Sequence, residues 1–472
     1  MRLHPLRYAC ALLCLWSGLA LAETTLDPFG TEEMLPLKPG LRAGGAAGDP
    51  CAAAMPDGAL GLPEVVNLAL CRNPQTREAW ASARVQAAQV GVSQSGYLPG
   101  TDLSISGNRT SPGTGQRSYG LTLSYLLYDF GERAAGVENA RQLLAAATAT
   151  QDSTVQAVFL QAVQSFYQTQ ATGAALDAAL ESERAARESF AAAEARYAAG
   201  SATPADKLQA QTAYSQTTLS RITASGNLNN AKGALANMLG LDANLDVALA
   251  PANPASVPAS FDRDIAALIG EARLRRPDLQ AAAAQVKAAQ ASADAARAAG
   301  KPSLSLSAST NQTSAAGVTT HGSSVGVSLS VPLFSGFAST YRIRAAEARV
   351  ETQAAQLERL RLQVALDVWT AYQNLVTATQ SLRTTADLMS SAEQSERVAL
   401  GRYKAGVGNI LDVLNAQSAL AGARQQRIQS TFDWNVNRAA LAQAMGNLDE
   451  NLLQDLSGGS AMSGAAYQRK QP

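Results

Sequence analysis

The sequence predicts a mainly α-helical chain with a small β part, written twice in tandem. Three observations carry that prediction. RYAAGSATPADKLQAQ begins at Arg196 and RYKAGVGNILDVLNAQ at Arg402, 206 positions later, with Arg-Tyr, Gly, Asp, Leu and Ala-Gln in matching places. Each copy holds two stretches in which apolar and polar residues alternate with period two, the mark of strands. Each also holds one helical run far longer than the three or so turns usual in globular proteins.

The composition fits slender helices better than a thick globule. Charged residues are 16% and aromatics 5% of the 472 residues, and the 46% apolar fraction is inflated by alanine, which favours helices but fills a core poorly. A chain of this length would ordinarily hold about three domains of ~150 residues, a prior that a duplicated chain need not obey. Residues 1–22 are expected to be a secretory signal peptide: Arg2 and Arg7 give a positive start, Tyr8 to Leu19 an apolar run, and Ala20-Leu21-Ala22 a cleavage site. That run is short for a bilayer span of ~20 residues, and no other stretch reaches such a length without polar interruption. Removing the signal turns 38 basic against 38 acidic residues into 36 against 38, which points to neither nucleic acid nor a basic membrane-surface patch. Cys51 and Cys71 stay in the mature chain, where an oxidising compartment permits a disulfide without the sequence deciding whether it forms.

The elements follow in order. Residues 23–60 are rich in Gly, Ala and Pro and are expected to be a flexible N-terminal segment. The first repeat, 61–245, opens with a helical pattern that Pro99 stops. A β-hairpin at 102–128 comes next, then a long helix at 132–199 and a shorter one at 204–240. After a linker at 246–261 the second repeat, 262–450, runs the same way: a helical pattern stopped by Pro302, a hairpin at 303–334, a long helix at 338–405 and a helix at 410–446. Residues 451–472 are expected to be a disordered tail. At ~1.5 Å per residue each long helix would extend on the order of 100 Å. Ile343, Val350, Leu357 and Val364 fall every seven residues, and Leu375, Leu382 and Met389 resume the spacing, so coiled-coil packing is expected.

The duplicated motif reads as the turn between the long and the short helix. Gly200 stands at the C′ position of one helix, Thr203 as the N-cap of the next, Pro204 at N1 and Asp206 at N3. In the second copy Gly406 stops the helix, Asn409 caps the next and Asp412 takes N3. At least part of what the two aspartates do is therefore to cap, worth ~0.5–1 kcal/mol each.

Strands that alternate Leu with Ser, as in SLSLS, suit a half-buried sheet or a membrane barrel wall. An open edge cannot exist in lipid, and four strands are too few for the usual smallest barrel of about eight, so membrane strands here would require several copies to share one barrel. Tyr97, Tyr119, Tyr125, Tyr128 and Phe130 flank the first hairpin, and Phe334, Phe337 and Tyr341 follow the second, as rings of an interfacial girdle would.

Over roughly Leu60 to Leu448 the chain resembles the TolC-like outer-membrane channel proteins. The resemblance rests on the tandem duplication, the helix–hairpin–helix order, the turns at Arg196 and Arg402, and the strand exits Tyr128-Asp129-Phe130-Gly131 and Pro332-Leu333-Phe334-Ser335-Gly336. It implies a homotrimer in the outer membrane of a Gram-negative cell, in contact with outer-membrane lipid. Each chain would give four strands to one twelve-stranded barrel and its long helices to a coiled-coil α-helical barrel reaching into the periplasm. It implies two partners, a periplasmic adaptor (membrane fusion) protein and an inner-membrane ABC transporter or other pump, and a channel that conducts substrate from them to the exterior. Carried onto this sequence, Asp206 stands at the acidic latch position of the periplasmic gate and Tyr403 at its tyrosine partner. Asp412 falls in an acidic ring at the entrance, where three carboxylates about one axis would repel one another or gather cations. Two departures bear on the gate: the family's latch arginine is replaced by Gly408, leaving Arg402 to stand in for it or the closed state weakly held, and a second acidic position is Asn415.

No enzyme is expected. The mature chain keeps one histidine, His321, in a hairpin, which leaves no histidine-based triad, and Gly44-Gly45-Ala46-Ala47-Gly48 lacks the strand and Lys-Ser/Thr of a phosphate loop. No cofactor or metal is expected either. The absence of a cysteine directly after the signal favours type I secretion of a protein toxin, of the cyclolysin kind, over service to a drug or metal efflux pump. A periplasmic coiled-coil tether or adhesin is the second alternative, and it leaves the aromatic-ended hairpins unexplained.

Overall fold

The computed structural model describes residues 27–35, 51, 58–109, 115–251 and 264–448; the expected signal peptide and the tail at 451–472 lie outside them. Helices α1 (Leu62–Arg72) and α2 (Pro74–Ser95) lead into strands β1 (Gly100–Arg109) and β2 (Gly115–Tyr128), then α3 (Glu132–Ala198) and α4 (Pro204–Met238). The second half repeats this order with α5 (Ile265–Arg275), α6 (Pro277–Ala298), β3 (Ser303–Ala315), β4 (Val318–Ser330), α7 (Ala338–Lys404) and α8 (Ile410–Ala444). Helices α3 and α7 each have 67 residues, and α4 and α8 each have 35.

Two compact units divide the chain, and both long helices contribute to each. The unit formed by residues 81–148 and 283–354, with the described part of 1–37, carries the sheet. Its order is β1-β2-β3-β4 and every pairing is antiparallel. The register places Leu103 opposite Leu121, Leu123 opposite Ala308, Tyr125 opposite Leu306 and Leu306 opposite Val327, so one face of all four strands is apolar. The other face is serine-rich, with Ser305 and Ser328 hydroxyls 2.7 Å apart and Ser309 and Ser324 2.9 Å apart. Strand β4 stops at Ser330, before the expected hairpin end at 334, because Pro332 has no N–H to give a ladder. Residues 27–35 correct part of the expected flexible segment. Asp27 accepts from the Glu32 amide at 2.7 Å, closing a turn, and Leu35 packs against Ala87, Val90, Ala140 and Leu144.

The other unit holds the helical core. In the first half Val65, Val66 and Ala69 of α1 pack with Val158, Ala162 and Val163 of α3 and with Leu235 and Leu239 at the end of α4. In the second half Leu268 and Ala272 pack with Val364, Val368 and Leu375 of α7 and with Trp434 and Leu441 of α8. The expected heptad seam faces inward here, Leu375 and Leu382 being buried beside Val364. Leu60, placed by the sequence in the flexible segment, is buried at 2% exposure, and its backbone bridges to the strand-like Leu249. Apolar burial decides both ends of that bridge, because Leu60 and Val247 lie in the same cluster. Cys51 and Cys71 are joined by a disulfide, with their Cα atoms 5.2 Å apart.

Candidate functional site

Two places combine chemistry with exposure: the sheet and the paired helix turns. On the sheet, Leu103, Ile105, Leu121, Val325, Val327 and Leu329 all lie on the apolar face and all are exposed, Val325 at 79%. Apolar surface of that extent on a folded chain marks a lipid or protein contact. The outer edges of β1 and β4 pair with no other strand among the described residues, and those edges carry free N–H and C=O groups. The flanking rings are exposed as well: Tyr97, Tyr128 and Phe130 by the first hairpin, Phe334, Phe337 and Tyr341 by the second.

The strand exits hold a feature that the sequence reading passed over. The Asp129 carboxylate accepts from the Gly131 amide at 3.2 Å, the Arg133 amide at 2.9 Å and Arg133 Nε at 2.8 Å. Arg133 also donates to the Gly96 carbonyl at 3.0 Å and lies 4.8 Å from the centre of the Tyr97 ring. One arginine thus ties the end of α2 to the start of α3. The acid–base spacing of i to i+4 in Asp129-Phe-Gly-Glu-Arg133 was the signal available for it.

At the turns, Gly200 (φ +74°) and Gly406 (φ +80°) occupy the left-handed conformation that ends a helix. The Ser201 amide reaches back to the Arg196 carbonyl at 2.9 Å and the Val407 amide to the Arg402 carbonyl at 3.1 Å, the six-to-one bond of a Schellman end. Thr203 then caps α4 in a full capping box. Its hydroxyl accepts from the Asp206 amide, the Asp206 carboxylate accepts from the Thr203 amide at 2.9 Å, and Pro204 stands at N1. Those bonds, the backbone one foremost and the one from the Thr203 hydroxyl after it, hold the Asp206 carboxyl below the usual carboxylate range. Asn409 caps α8 by accepting from the Leu411 amide at 3.2 Å, with Asp412 exposed at N3.

Within one chain Asp206 and Tyr403 do not meet. Every hydrogen bond of the Asp206 carboxylate goes to Thr203, whereas the ring of Tyr403 meets Arg196 of the first turn. Tyr403 is 6% exposed, packed with Ala193, Ala210, Ile410 and Val413. The Arg196 guanidinium lies 4.1 Å from its ring centre and donates to its backbone carbonyl at 2.6 Å. Arg402 is exposed and its side chain has no hydrogen-bond or ionic partner among the described residues. Gly408, where the latch arginine was sought, lies against this helix end: a Cβ there would come within 2.9 Å of the Tyr403 nitrogen, so no side chain fits without a backbone shift.

Among the described residues no group of histidine, cysteine, aspartate and glutamate side chains is placed to hold a metal ion. No helix among them is long and apolar enough to cross a membrane, which leaves strands as the spanning elements to consider.

The family described as outer membrane efflux protein matches residues 65–241 and 268–447, one stretch for each repeat. The chain is similar to the protein CyaE of Bordetella pertussis, 33% identical over 406 residues that cover 84% of this chain and 85% of that one. It is similar to the outer membrane protein TolC of Escherichia coli, 25% identical over 430 residues covering 84% and 83%. Among solved structures, the CmeC outer membrane channel of Campylobacter jejuni has the same fold, with a TM-score of 0.72 at 19% identity over 85% of this chain and 90% of that one.

Proposed function

We propose, for a chain that belongs to the outer membrane efflux protein family, that three copies assemble into one channel that carries a protein toxin across the outer membrane in type I secretion. The chain is a TolC-like outer-membrane channel protein. A single observation carries the mechanism: its four-stranded sheet exposes a continuous apolar face and two open edges. Lipid tolerates neither an unpaired edge nor an unclosed sheet. Three such sheets joined edge to edge make a closed barrel of twelve strands with the apolar faces toward lipid and the serine faces toward the pore. The helices also present apolar residues outward, Leu362, Leu366 and Trp369 on the long α7 and Leu219 and Ile222 on the shorter α4, at the i, i+3 or i+4 spacing of a helix contact. Neighbouring copies would cover them and close a helical tunnel.

A periplasmic adaptor protein and an inner-membrane ABC transporter are the partners such a channel requires at its inner end. Protein cargo is favoured over drugs by the lack of a cysteine directly after the expected signal peptide, which is the usual point of lipid attachment in pump-serving members. An efflux pump remains the second reading, supported by the breadth of the family itself. The tether or adhesin alternative offers no account of the family match across both repeats.

The paired turns are proposed as the gate. Asp206, Tyr403 and Arg402 all stand at these helix ends, and Asp412 is exposed at the start of α8, where three copies would set three carboxylates around one axis. Because Asp206 is bound within its own turn, its latch role would be exerted on a neighbouring copy. The first test is the mass and membrane fraction of the detergent-extracted protein, expected to be a trimer from the outer membrane; a soluble monomer would overturn the shared barrel. In planar bilayers Tyr403→Phe should raise conductance and Asp412→Ala should abolish block by lanthanum. Unchanged behaviour removes each residue from the gate.

A further inference from the structure

Within the chain, the arginine of the first turn lies on the tyrosine of the second, Arg196 on Tyr403. The duplication writes both partners twice: Arg402 repeats Arg196, and Tyr197 repeats Tyr403, each at an offset of 206. The repeated pair does not meet. Arg402 is exposed without a side-chain partner among the described residues, and Tyr197 is 42% exposed. We propose that Arg402 of one copy lies on Tyr197 of the next, remaking between chains the contact that Arg196 and Tyr403 make within one. The inference rests on the trimer reading above.

A contact between two unlike surfaces of similar units is head-to-tail, and it repeats from unit to unit until the ring closes. Six half-chains in a ring would use it six times. One such joint falls inside each chain and is the one seen here; the other three would fall between chains and would draw on the arginine and the tyrosine that the inner joint leaves over. Arg402 and Tyr197 are that remainder. A guanidinium over an aromatic ring gains most when neighbours exclude water, and this pair is wet in the single chain.

The two kinds of joint are not equal. Beside Tyr403 the structure places Val413, buried in the same apolar cluster. The matching position beside Tyr197 is Lys207, whose ammonium lies 5.7 Å from the ring centre and is held by Glu194 at 2.8 Å. A joint between chains thus carries two extra charges that keep it hydrated, and it parts before the joint within a chain does. Opening would begin at the three Arg402 contacts.

The test uses the detergent-extracted full chain, whose Cys51 and Cys71 are already paired. Arg402→Cys with Tyr197→Cys, treated with a short bis-maleimide, should move the chain from monomer to covalent dimer and trimer on a denaturing gel. Arg196→Cys with Tyr403→Cys, treated alike, should stay at monomer mass and yield a bridged peptide by mass spectrometry. If the first variant stays monomeric on the gel while light scattering shows a trimer and the second variant bridges, the proposal is overturned with the trimer intact. If light scattering shows a monomer beforehand, the trimer reading fails and the proposal with it. As a second readout, Arg402→Ala should raise conductance severalfold. Arg402→Lys, which keeps the charge but loses the flat stacking group, should fall between it and the native channel. Equal conductance in all three overturns the proposal.

Discussion

In the first half of the chain β2 passes into α3 through a charged clamp, Asp129 with Arg133, whereas the second half passes from β4 into α7 through Ser335 and Ser339, whose hydroxyls are 3.5 Å apart. The positions match at the offset of 206, and the geometry around them is shared: Phe130 (φ +51°) and Gly131 (φ +96°) hold left-handed backbone at the first exit, and Gly336 (φ +62°) and Phe337 (φ +65°) hold it at the matching positions of the second. What differs is the load. Arg133 reaches back to the Gly96 carbonyl and to the ring of Tyr97, a span that a serine cannot make. The same contrast runs through the turns, where one tyrosine of a repeated pair is buried and the other exposed. A duplicated sequence supplies equal parts, and the neighbour each part meets decides what it does.

The strand exits give the largest expected effect. Asp129 and Arg133 are largely buried, so Asp129→Ala leaves an uncompensated arginine and should cost about 3 kcal/mol. Ser335→Ala should stay within about 0.5 kcal/mol, since it removes one long, exposed contact. Thermal unfolding of the detergent-extracted protein measures both. Equal losses would mean that the clamp adds nothing beyond the serine pair.

A smaller contrast lies at the ends of α4 and α8. Gly240 (φ +68°) and Gly446 (φ +72°) close the two helices in the same way, but a Cβ on Gly240 would come 2.6 Å from the Arg72 carbonyl oxygen, against 3.1 Å for Gly446 and the backbone at Arg275. Left-handed backbone costs a non-glycine residue about 1 kcal/mol, and forced overlap adds about 1–3 kcal/mol. Gly240→Ala should therefore destabilise by about 2–4 kcal/mol and Gly446→Ala by less. The reverse order would show that the second corner is the more rigid.

The helix caps rank next. Thr203→Ala removes a hydroxyl that both accepts from the Asp206 amide and donates to its carboxylate at 2.8 Å; Asn409→Ala removes one bond. Each should cost about 1 kcal/mol, with Thr203 the costlier, read from amide hydrogen exchange in the first turn of α4 and of α8. Matching losses would show that the donation from the Thr203 hydroxyl to the Asp206 carboxylate adds nothing.

Much of this fold could be read before the structure was seen, because its signals are local. Periodicity marks the long helices and the strands, Pro99 and Pro302 end the helices before them, and Gly200 and Gly406 end the two helices that follow. The alternation of Leu with Ser in β3 was enough to foresee a sheet with one apolar face. The rest depended on distant partners. Nothing in RYAAGSATPADK says that its arginine lies on the tyrosine of the other repeat, since that contact is made where the ends of α3, α4, α7 and α8 share one apolar cluster. The disulfide of Cys51 with Cys71 and the burial of Leu60 in the helical core depend likewise on where the chain returns. The assignment of Asp206 to Tyr403 came from a resemblance between families of sequences, and in the single chain the aspartate goes to its nearest hydroxyl and amide instead.

Acid separates the two turns by the smallest effect. In the first, the carboxylate of Asp206 accepts from Thr203 and is held below the usual carboxylate range; in the second, the cap itself is the neutral amide of Asn409. A carboxyl whose folded pKa is depressed contributes its stability in full above the unfolded value, ~3.9, and loses it as pH falls through the folded one. The turn is open to solvent, which screens the contribution to below about 1 kcal/mol. Between pH 5 and the foot of that titration, protection of the first-turn amides of α4 should therefore fall relative to those of α8, once each is corrected for its intrinsic exchange rate. Asp206→Asn should remove the difference by weakening α4 at every pH. If both helices lose protection together in the native chain, a group common to the two turns is titrating, and the capping box is not what sets them apart.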